Sequence, residues 1–484
     1  MQALYREIRT TDTTAPIIQW DCIQGYTPVV GGDAVTLAAI QAICGGTDAA
    51  EATANPTDAL IVARKLPARS VLFLVNAHNG FEVANWKQAF WNLREIFKGN
   101  TRMAVILAPR VSLPMELSSD VVVLDEPLPD EAQLERVIRN ILKSSKVDNP
   151  DDAGLIARAV EAVSGLANFP AEQVTAMSLT RENGPDSPIT IDMDQMWERK
   201  RQMIEQTPGL SVWRGGETFD DIGGYSNIKN FLQRLISSRK RPRVVCLWDE
   251  LEKSLSGATS GTSDSSGVSQ GFLGSVLSYM QDEDVKGVIL IGPPGACKTM
   301  LAKAMGNTAK IPTIVFDLTG MKASLVGESE ARLKNALKVV TAVGQGQAFF
   351  IGTCNKIAAL PNELKRRFTR GTFFVDLPTE EERKQIWAIY LKKYSLAEQP
   401  LPDSHDWTGA EIKQACELAS EDVLNCSLVE AAGYIVPVAQ SGAAQLQELR
   451  RMADGTFINA SSPGKYRWQS GEVASGAARA ISVE

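Results

Sequence analysis

The chain has 484 residues, 44% hydrophobic and 22% charged, with a formal net charge of −7. That length supports two or three domains with cores of their own, and the acidic balance argues against a broad nucleic-acid surface. No apolar run reaches the roughly 18 residues of a membrane span, the start MQALYREIRTTD lacks a signal-peptide core, and seven cysteines without metal-type spacing read as reduced thiols, so a cytosolic location is expected.

The first 210 residues alternate apolar strands with helical stretches. PIIQWD (16–21), VLFLVNA (71–77), MAVILAPRVSLPMEL (103–117) and VVVLDEPLPDEAQLERVI (121–138) come in turn, followed by NFPAEQVTA (168–176). The segment 193–224 then reads as a charged linker helix ended by Pro and Gly, marking a boundary. The basic cluster SSRKRPR (237–243) is short and reads as a solvated helix end. RVVCLWDE (243–250) is a buried-type strand closed by two carboxylates. SLSGATSGTSDSSG (254–267) reads as a mobile loop, and VSQGFLGSVLSYMQ (268–281) as a helix.

VILIGPPGACKT (288–299) is an apolar strand running into a Gly-rich turn, a Lys and a Thr, with the helical MLAKAMGNTAK behind it. A triphosphate needs backbone N–H groups aimed at its oxygens, a Lys for the β- and γ-phosphates, a hydroxyl for Mg²⁺ and a helix N-terminus. Gly292, Pro293, Pro294, Gly295, Ala296, Cys297, Lys298, Thr299 and Met300 supply such a loop. Cys297 stands where the strict pattern has Gly, and a small side chain is expected to fit there if φ stays negative. Two readings of this thiol stand side by side. It is a small replacement for Gly, or, beside Lys298 at a helix start, a low-pKa redox-sensitive group. An acidic pair after an apolar strand is the arrangement that holds a Mg²⁺ shell, here with Asp249, and orients water, here with Glu250.

With these, FDDIGGYSNIKNFL (219–232), LVGESEARLKNAL (325–337), AFFIGTCNK (348–356), LPNELKRRF (360–368), FFVDLPTEEER (373–383) and DWTGAEIKQA (406–415) make the chain resemble the AAA family of ATPases. The resemblance implies an α/β P-loop fold, a parallel sheet ordered 5-1-4-3-2 with a helical lid. In that family the acidic strand follows the GESE helix, whereas here it precedes the phosphate loop. A right-handed crossover that skips one strand still allows the standard sheet, so the site residues are expected to converge. By resemblance Asn355 is the first sensor, which orients water. Arg366 and Arg367 fall where arginine fingers reach a neighbour's phosphates, with Arg370 an alternative. Asp221, Ile222 and Gly223 match the adenine-side segment, and Gly409 with Ala410 the lid beside the nucleotide. ATP and Mg²⁺ are the implied cofactors, and fingers supplied in trans imply a homo-oligomer, most simply a hexameric ring.

The first half repeats the second in weakened form, each of its segments having a counterpart in the same order except the acidic strand, which is displaced in the second copy. It starts at the second strand, contains no phosphate loop, and carries Asn76 and Ala77 in place of the carboxylates. It reads as a degenerate P-loop-like domain, and the whole chain resembles AAA proteins best known from cyanobacteria and plastids that pair such a domain with one active module. The expected organisation is a degenerate α/β domain at 1–145, a helical lid-like segment and linker at 146–215, the ATPase α/β domain at 216–380, and a lid with C-terminal helices at 381–484. The segment 428–460 is expected to pack on the lid.

Two functions follow from the resemblance. One is an oligomeric Mg²⁺-dependent ATPase that remodels a protein client in the cytoplasm, or in a plastid stroma or phage-infected cell. Leu325 stands where threading rings carry an aromatic, which favours limited remodelling over processive unfolding. The other is a nucleotide-binding scaffold with little turnover. No nucleic acid or membrane is expected as a partner, and His78 and His405 are too isolated to form a site.

Overall fold

The computed structural model describes residues 1–108, 113–124, 128–181, 187–254, 268–322, 328–356, 360–421 and 426–468. The pore position Leu325 and the loop 255–267 lie outside the described residues. By its contacts the chain divides into two compact units, Met1–Pro127 and Leu128–Glu484.

In the first unit β1 (Ile17–Asp21), β2 (Gly25–Pro28), β3 (Val71–Val75) and β4 (Met103–Leu107) form one sheet in the order β2-β1-β3-β4. β1, β3 and β4 run parallel, and β2 is an antiparallel edge joined to β1. Ile18, Leu72, Leu74 and Trp20 face a core shared with Leu60, Trp86 and Phe97. The strand expected from VVVL does not form. Residues 121–124 carry no strand, and Val122 and Leu124 are 81% and 85% exposed. In the second half the matching strand pairs with the phosphate-loop strand. The first half has no such strand, so its counterpart has no ladder to join.

The second unit opens with a helical bundle. Helices Glu131–Ser144, Ala153–Val163, Asn168–Met177 and Met193–Glu205 surround Leu134, Ile138, Ile156, Val163, Val174 and Met196. A short antiparallel pair, β5 (Leu179–Arg181) with β6 (Ile189–Ile191), completes it. The segment read as a linker is thus structured. Its helix buries Met196, Lys200 and Ile204, and β7 (Leu210–Val212) goes on to pair with the large sheet.

Lys200 is 3% exposed, with its Nζ donating to the Glu161 carbonyl at 3.3 Å and lying 4.9 Å from the Trp197 ring centre. Burial pulls its pKa down to about 7, with the Glu161 charge opposing and Arg243 assisting. The unfolded value is about 10.4, so the folded state binds fewer protons between these pH values. Stability therefore rises from about pH 7 to about pH 10 and is lowest below that window. Lys200→Met is expected to stabilise this unit by on the order of 2 kcal/mol at pH 7 and by much less near pH 10. Thermal melts at both pH values check this; an equal gain at each would sink it.

The large sheet adds β8 (Val244–Trp248), β9 (Lys286–Ile291), β10 (Thr313–Phe316), β11 (Ala348–Cys354), β12 (Thr372–Phe374) and β13 (Ile458–Asn459). Its order is β13-β12-β9-β11-β8-β10-β7. The five central strands are parallel. The acidic strand β8 therefore lies between β10 and β11, the place the 5-1-4-3-2 order reserves for it, although it precedes the phosphate-loop strand β9 in sequence. All five residues of β8 are buried, as expected for a parallel strand covered on both faces. Trp248 is central to one face, with edge contacts to Phe350 and Phe316 at centroid distances of 5.1 and 5.7 Å.

The lid helices Glu380–Lys393 and Gly409–Ser420 each start with a capping box, from Thr379 and Thr408. They bury Ile386, Trp387, Tyr390, Trp407 and Ile412 together. Only the first part of the segment 428–460 packs there, through Leu428 and Ile435. Helix Ala443–Ala453 instead buries Leu449 and Ala453 against the large sheet's core, and β13 extends that sheet beyond β12. The edge of β12 still had an unpaired row of backbone groups, and the returning chain covers it. Arg450 fixes the return by donating from Nε to both Asp376 oxygens at 3.0 Å.

Candidate active site

The phosphate loop leaves β9 at Gly292. A side chain there would strike the Val375 carbonyl, its Cβ only 1.9 Å from the oxygen, so the loop's first turn needs glycine. Gly295 has φ +79, and a Cβ on it would meet Thr408 Oγ1 at 2.8 Å. Thr408 caps the second lid helix, so loop and lid are in close contact. Pro294 and Gly295 are exposed, whereas Pro293 and Ala296 are buried and Met300 packs partly on the core.

Lys298 begins helix Lys298–Ala309 and is 7% exposed. Its Nζ donates to the Pro293 carbonyl at 2.7 Å and the Gly292 carbonyl at 3.0 Å. Burial lowers its pKa to about 8, against the raising effect of Glu252 first, then Cys354, Asp249 and Cys297. The ammonium thus rests on the loop's own carbonyls.

Cys297 does not keep a negative φ. It sits at +56 as the cap of the phosphate-loop helix, in the left-handed region. The backbone that cradles phosphate needs this conformation, and the small Cys side chain accepts it at a cost of about 1–2 kcal/mol. Burial pushes its thiol up to about 11, with Lys298 only partly opposing. This favours the bland reading over a low-pKa redox group.

The acidic strand reaches this loop. Asp249 Oδ1 accepts from Thr299 Oγ1 at 2.8 Å and from Thr353 Oγ1 at 2.5 Å. Three segments remote in sequence, the end of β8, the start of the phosphate-loop helix and β11, therefore meet at one carboxylate oxygen. A hydroxyl beside a carboxylate is the hard oxygen donor set that suits Mg²⁺, which keeps waters and phosphate oxygens as its other ligands. The residues present fit that ion.

Glu250 has φ +50, its backbone N–H donates to Thr353 Oγ1 at 2.9 Å, and its side chain is 45% exposed and paired with Lys253 at 2.8 Å. Asn355 directly follows β11, and both its backbone N–H (3.1 Å) and its Nδ2 (2.9 Å) donate to Glu252 Oε1. Burial first, then the Glu252 charge, hold the Cys354 thiol up at about 12.

On the adenine side, Asp221 Oδ2 accepts from the Thr218 backbone N–H and hydroxyl at 2.7 and 3.0 Å. Ile222 is buried. Gly223 abuts the first lid helix, where a Cβ would lie 2.6 Å from Ile386 Cγ1. Gly409 is buried against Cys297, a Cβ on it falling 3.1 Å from that sulfur, while Ala410 is exposed. The structure thus gathers the phosphate loop, Asp249, Asn355, the 221–223 segment and the 409–410 segment around one place. Arg366 and Arg367 lie on helix Asn362–Arg367. Arg366 is exposed and Arg367 donates to Gln281 Oε1 at 2.8 Å. Among the described residues no hydrogen bond joins either arginine to the Lys298, Asp249 and Asn355 cluster.

Sequence reasoning missed Thr353 and Glu252. Thr353 lies within the strand β11, two residues before Asn355, where a threonine in an apolar strand carries no role by itself. Glu252 is the second acidic residue after Asp249 in WDELEKS and looked like a solvated helix start.

Residues 1–126 match the family described as "SpoVK-like AAA ATPase, N-terminal domain", and residues 288–345 match "ATPase family associated with various cellular activities (AAA)". The chain is similar to an "Uncharacterized AAA domain-containing protein ycf46" of Pyropia yezoensis, 24% identical over 92% of this chain and 91% of that one. Its similarity to the protein of the same description in Guillardia theta is 22%, over 93% and 89%. A "Cell division cycle protein 48 homolog" of Archaeoglobus fulgidus is 27% identical over 31% of this chain and 26% of its own. No helix among the described residues is long and apolar enough to cross a membrane.

Proposed function

We propose, from the premise that this chain carries an AAA ATPase domain behind a SpoVK-like AAA N-terminal domain, that it hydrolyses ATP as a Mg²⁺-dependent, ring-forming enzyme that remodels a protein partner in the cytoplasm. The observation that carries this reading is the Asp249 carboxylate hydrogen-bonded to Thr299 of the phosphate loop. That the strand displaced in sequence ends with its carboxylate beside the phosphate loop supports a role for it in serving a nucleotide.

The roles follow from the geometry. Backbone N–H groups of the Gly292–Thr299 turn and the helix start behind it receive the phosphates. Lys298 leaves the two carbonyls it now holds and turns to the β- and γ-oxygens. Thr299 and Asp249 would hold Mg²⁺, which when bound supplies charge neutralisation between the phosphates. Glu250, freed from Lys253, accepts the proton of the attacking water, and Asn355 orients that water. Arg366 and Arg367, which among the described residues make no hydrogen bond to their own site's network, are offered to a neighbouring subunit, and a guanidinium at the transferring phosphate is worth about 10³–10⁵ in rate. The segments 221–223 and 409–410 enclose the base. The first unit lacks every one of these groups and serves docking or regulation.

Steady-state ATP hydrolysis against protein concentration tests the reading, with Glu250→Gln as control. Specific activity is expected to rise cooperatively with concentration and to fall at least tenfold in the variant. Tight ATP binding with no turnover at any concentration would instead make the chain a nucleotide-controlled scaffold.

A further inference from the structure

We infer that Glu252, which stands beside the recognised acidic pair and not within it, is the carboxylate that works with Asn355 in hydrolysis. It fixes the amide through Oε1 and offers Oε2 to the attacking water. This rests on the ATPase reading above.

The geometry has three parts. Glu252 Oε1 accepts two hydrogen bonds from one residue, the backbone N–H and Nδ2 of Asn355, which locks both the position and the rotation of that amide. With Nδ2 engaged, the Asn355 carbonyl oxygen is the end left to face a water. Oε2 is buried and accepts from no N–H or O–H group of any described residue; the carboxylate's other neighbour is the weakly donating Cys354 thiol. A buried carboxylate oxygen without a donor is costly, and a water held between Oε2 and the Asn355 carbonyl would relieve that cost.

The third part is how Glu252 comes to be there. It lies on the one-turn helix Leu251–Ser254 directly after the acidic strand. Leu251 is fully buried against β11 where residue 352 is glycine, and a Cβ at that position would lie 2.5 Å from Leu251 Cδ1. The absent side chain lets the turn settle on β11, which brings Glu252 level with Asn355. Glu250, by contrast, is turned outward to Lys253. Two carboxylates thus divide the work. Glu250 is the mobile one that takes the proton, and Glu252 is the fixed positioning residue.

The test uses the full-length chain with Glu252→Gln, Glu252→Asp and Glu252→Ala. Gln keeps an acceptor for Asn355 but turns the free end into a donor with no charge. Glu252→Gln is expected to lower kcat at least tenfold with KM within twofold of wild type and an unchanged Tm. Asp, which keeps the charge on a shorter arm, is expected to restore kcat to within about threefold. Wild-type kcat in Glu252→Gln, or a raised KM at unchanged kcat, would overturn the inference and leave the ATPase reading intact.

A second measurement needs no chemistry. In Glu252→Ala the Asn355 Nδ2 is released from Oε1 and free to donate to the γ-phosphate, so the ratio of ADP to ATPγS dissociation constants is expected to rise at least fivefold, and an unchanged ratio overturns the inference even if wild type proves to have no turnover. Absence of wild-type turnover would by itself overturn only the ATPase reading.

Discussion

Asp249→Asn is expected to lower ATP turnover at least about a hundredfold, on the scale of losing one preorganised group at a charged transition state. The substitution changes almost nothing in shape. The Asn oxygen accepts from Thr299 or Thr353 as the carboxylate did, at 2.8 and 2.5 Å in the present structure, so folding should be intact. What disappears is the charge, and with it the reason for a cation to sit beside Thr299. The expected pattern is specific. ATP binding without Mg²⁺ is retained, the stimulation of binding by Mg²⁺ is lost, and Tm is unchanged. Isothermal titration with and without Mg²⁺, alongside steady-state turnover, reads all three. Turnover within threefold of wild type would show that the displaced strand, though seated in the right slot, takes no part in chemistry.

The largest effect on stability is expected from Trp248→Ala, a loss of about 3–5 kcal/mol. Trp248 is 1% exposed and sits edge-on to Phe350, Phe316 and Phe368 at centroid distances of 5.1, 5.7 and 6.2 Å. Truncation removes the largest side chain at the centre of that face and leaves rings on three sides of the gap. Its indole N–H has no partner among the described residues. Trp248→Phe is therefore expected to cost far less, about 1 kcal/mol, since it removes an unsatisfied donor as well as some volume. Urea unfolding followed by circular dichroism measures both. The loss should appear in the transition of the Leu128–Glu484 unit, because the two units are compact separately and need not melt together. Equal costs for Ala and Phe would mean that the rings repack around the gap.

The nucleotide loop was legible because its chemistry is local. Gly292, Gly295, Lys298 and Thr299 act through backbone shape and charge within eight residues, and their spacing survives any rearrangement elsewhere. The slot of β8 was legible for a different reason. The resemblance supplies the 5-1-4-3-2 order in which such a strand is third, and a right-handed crossover that skips one strand permits that place. Three features were not legible, each because it depends on a neighbour absent from the local pattern. VVVL fails to become a strand because its partner strand is missing from the first unit. Cys297 takes a positive φ because the loop's path requires it, against the ordinary preference of the residue. Glu252 meets Asn355 because Gly352, one hundred residues on in sequence, leaves room for Leu251. The C-terminal segment likewise showed helical spacing, but not that its helix and β13 would turn back to cover the edge of β12.

The strand order also fixes when this protein can be finished. β8 and β9 are consecutive in the chain yet share no ladder, since β11 lies between them and pairs with both. During synthesis the two halves of the sheet, β8 awaiting β10 and β9 awaiting β12, have no backbone contact until Ala348–Cys354 emerges. β11 is then inserted between strands that are already made, as a keystone rather than as the next course of a wall. Until that moment β8 and β9 each present an unpaired, largely apolar edge. That is the kind of surface that recruits chaperones or seeds aggregation, so the exposure window lasts for the synthesis of about a hundred residues between β8 and β11.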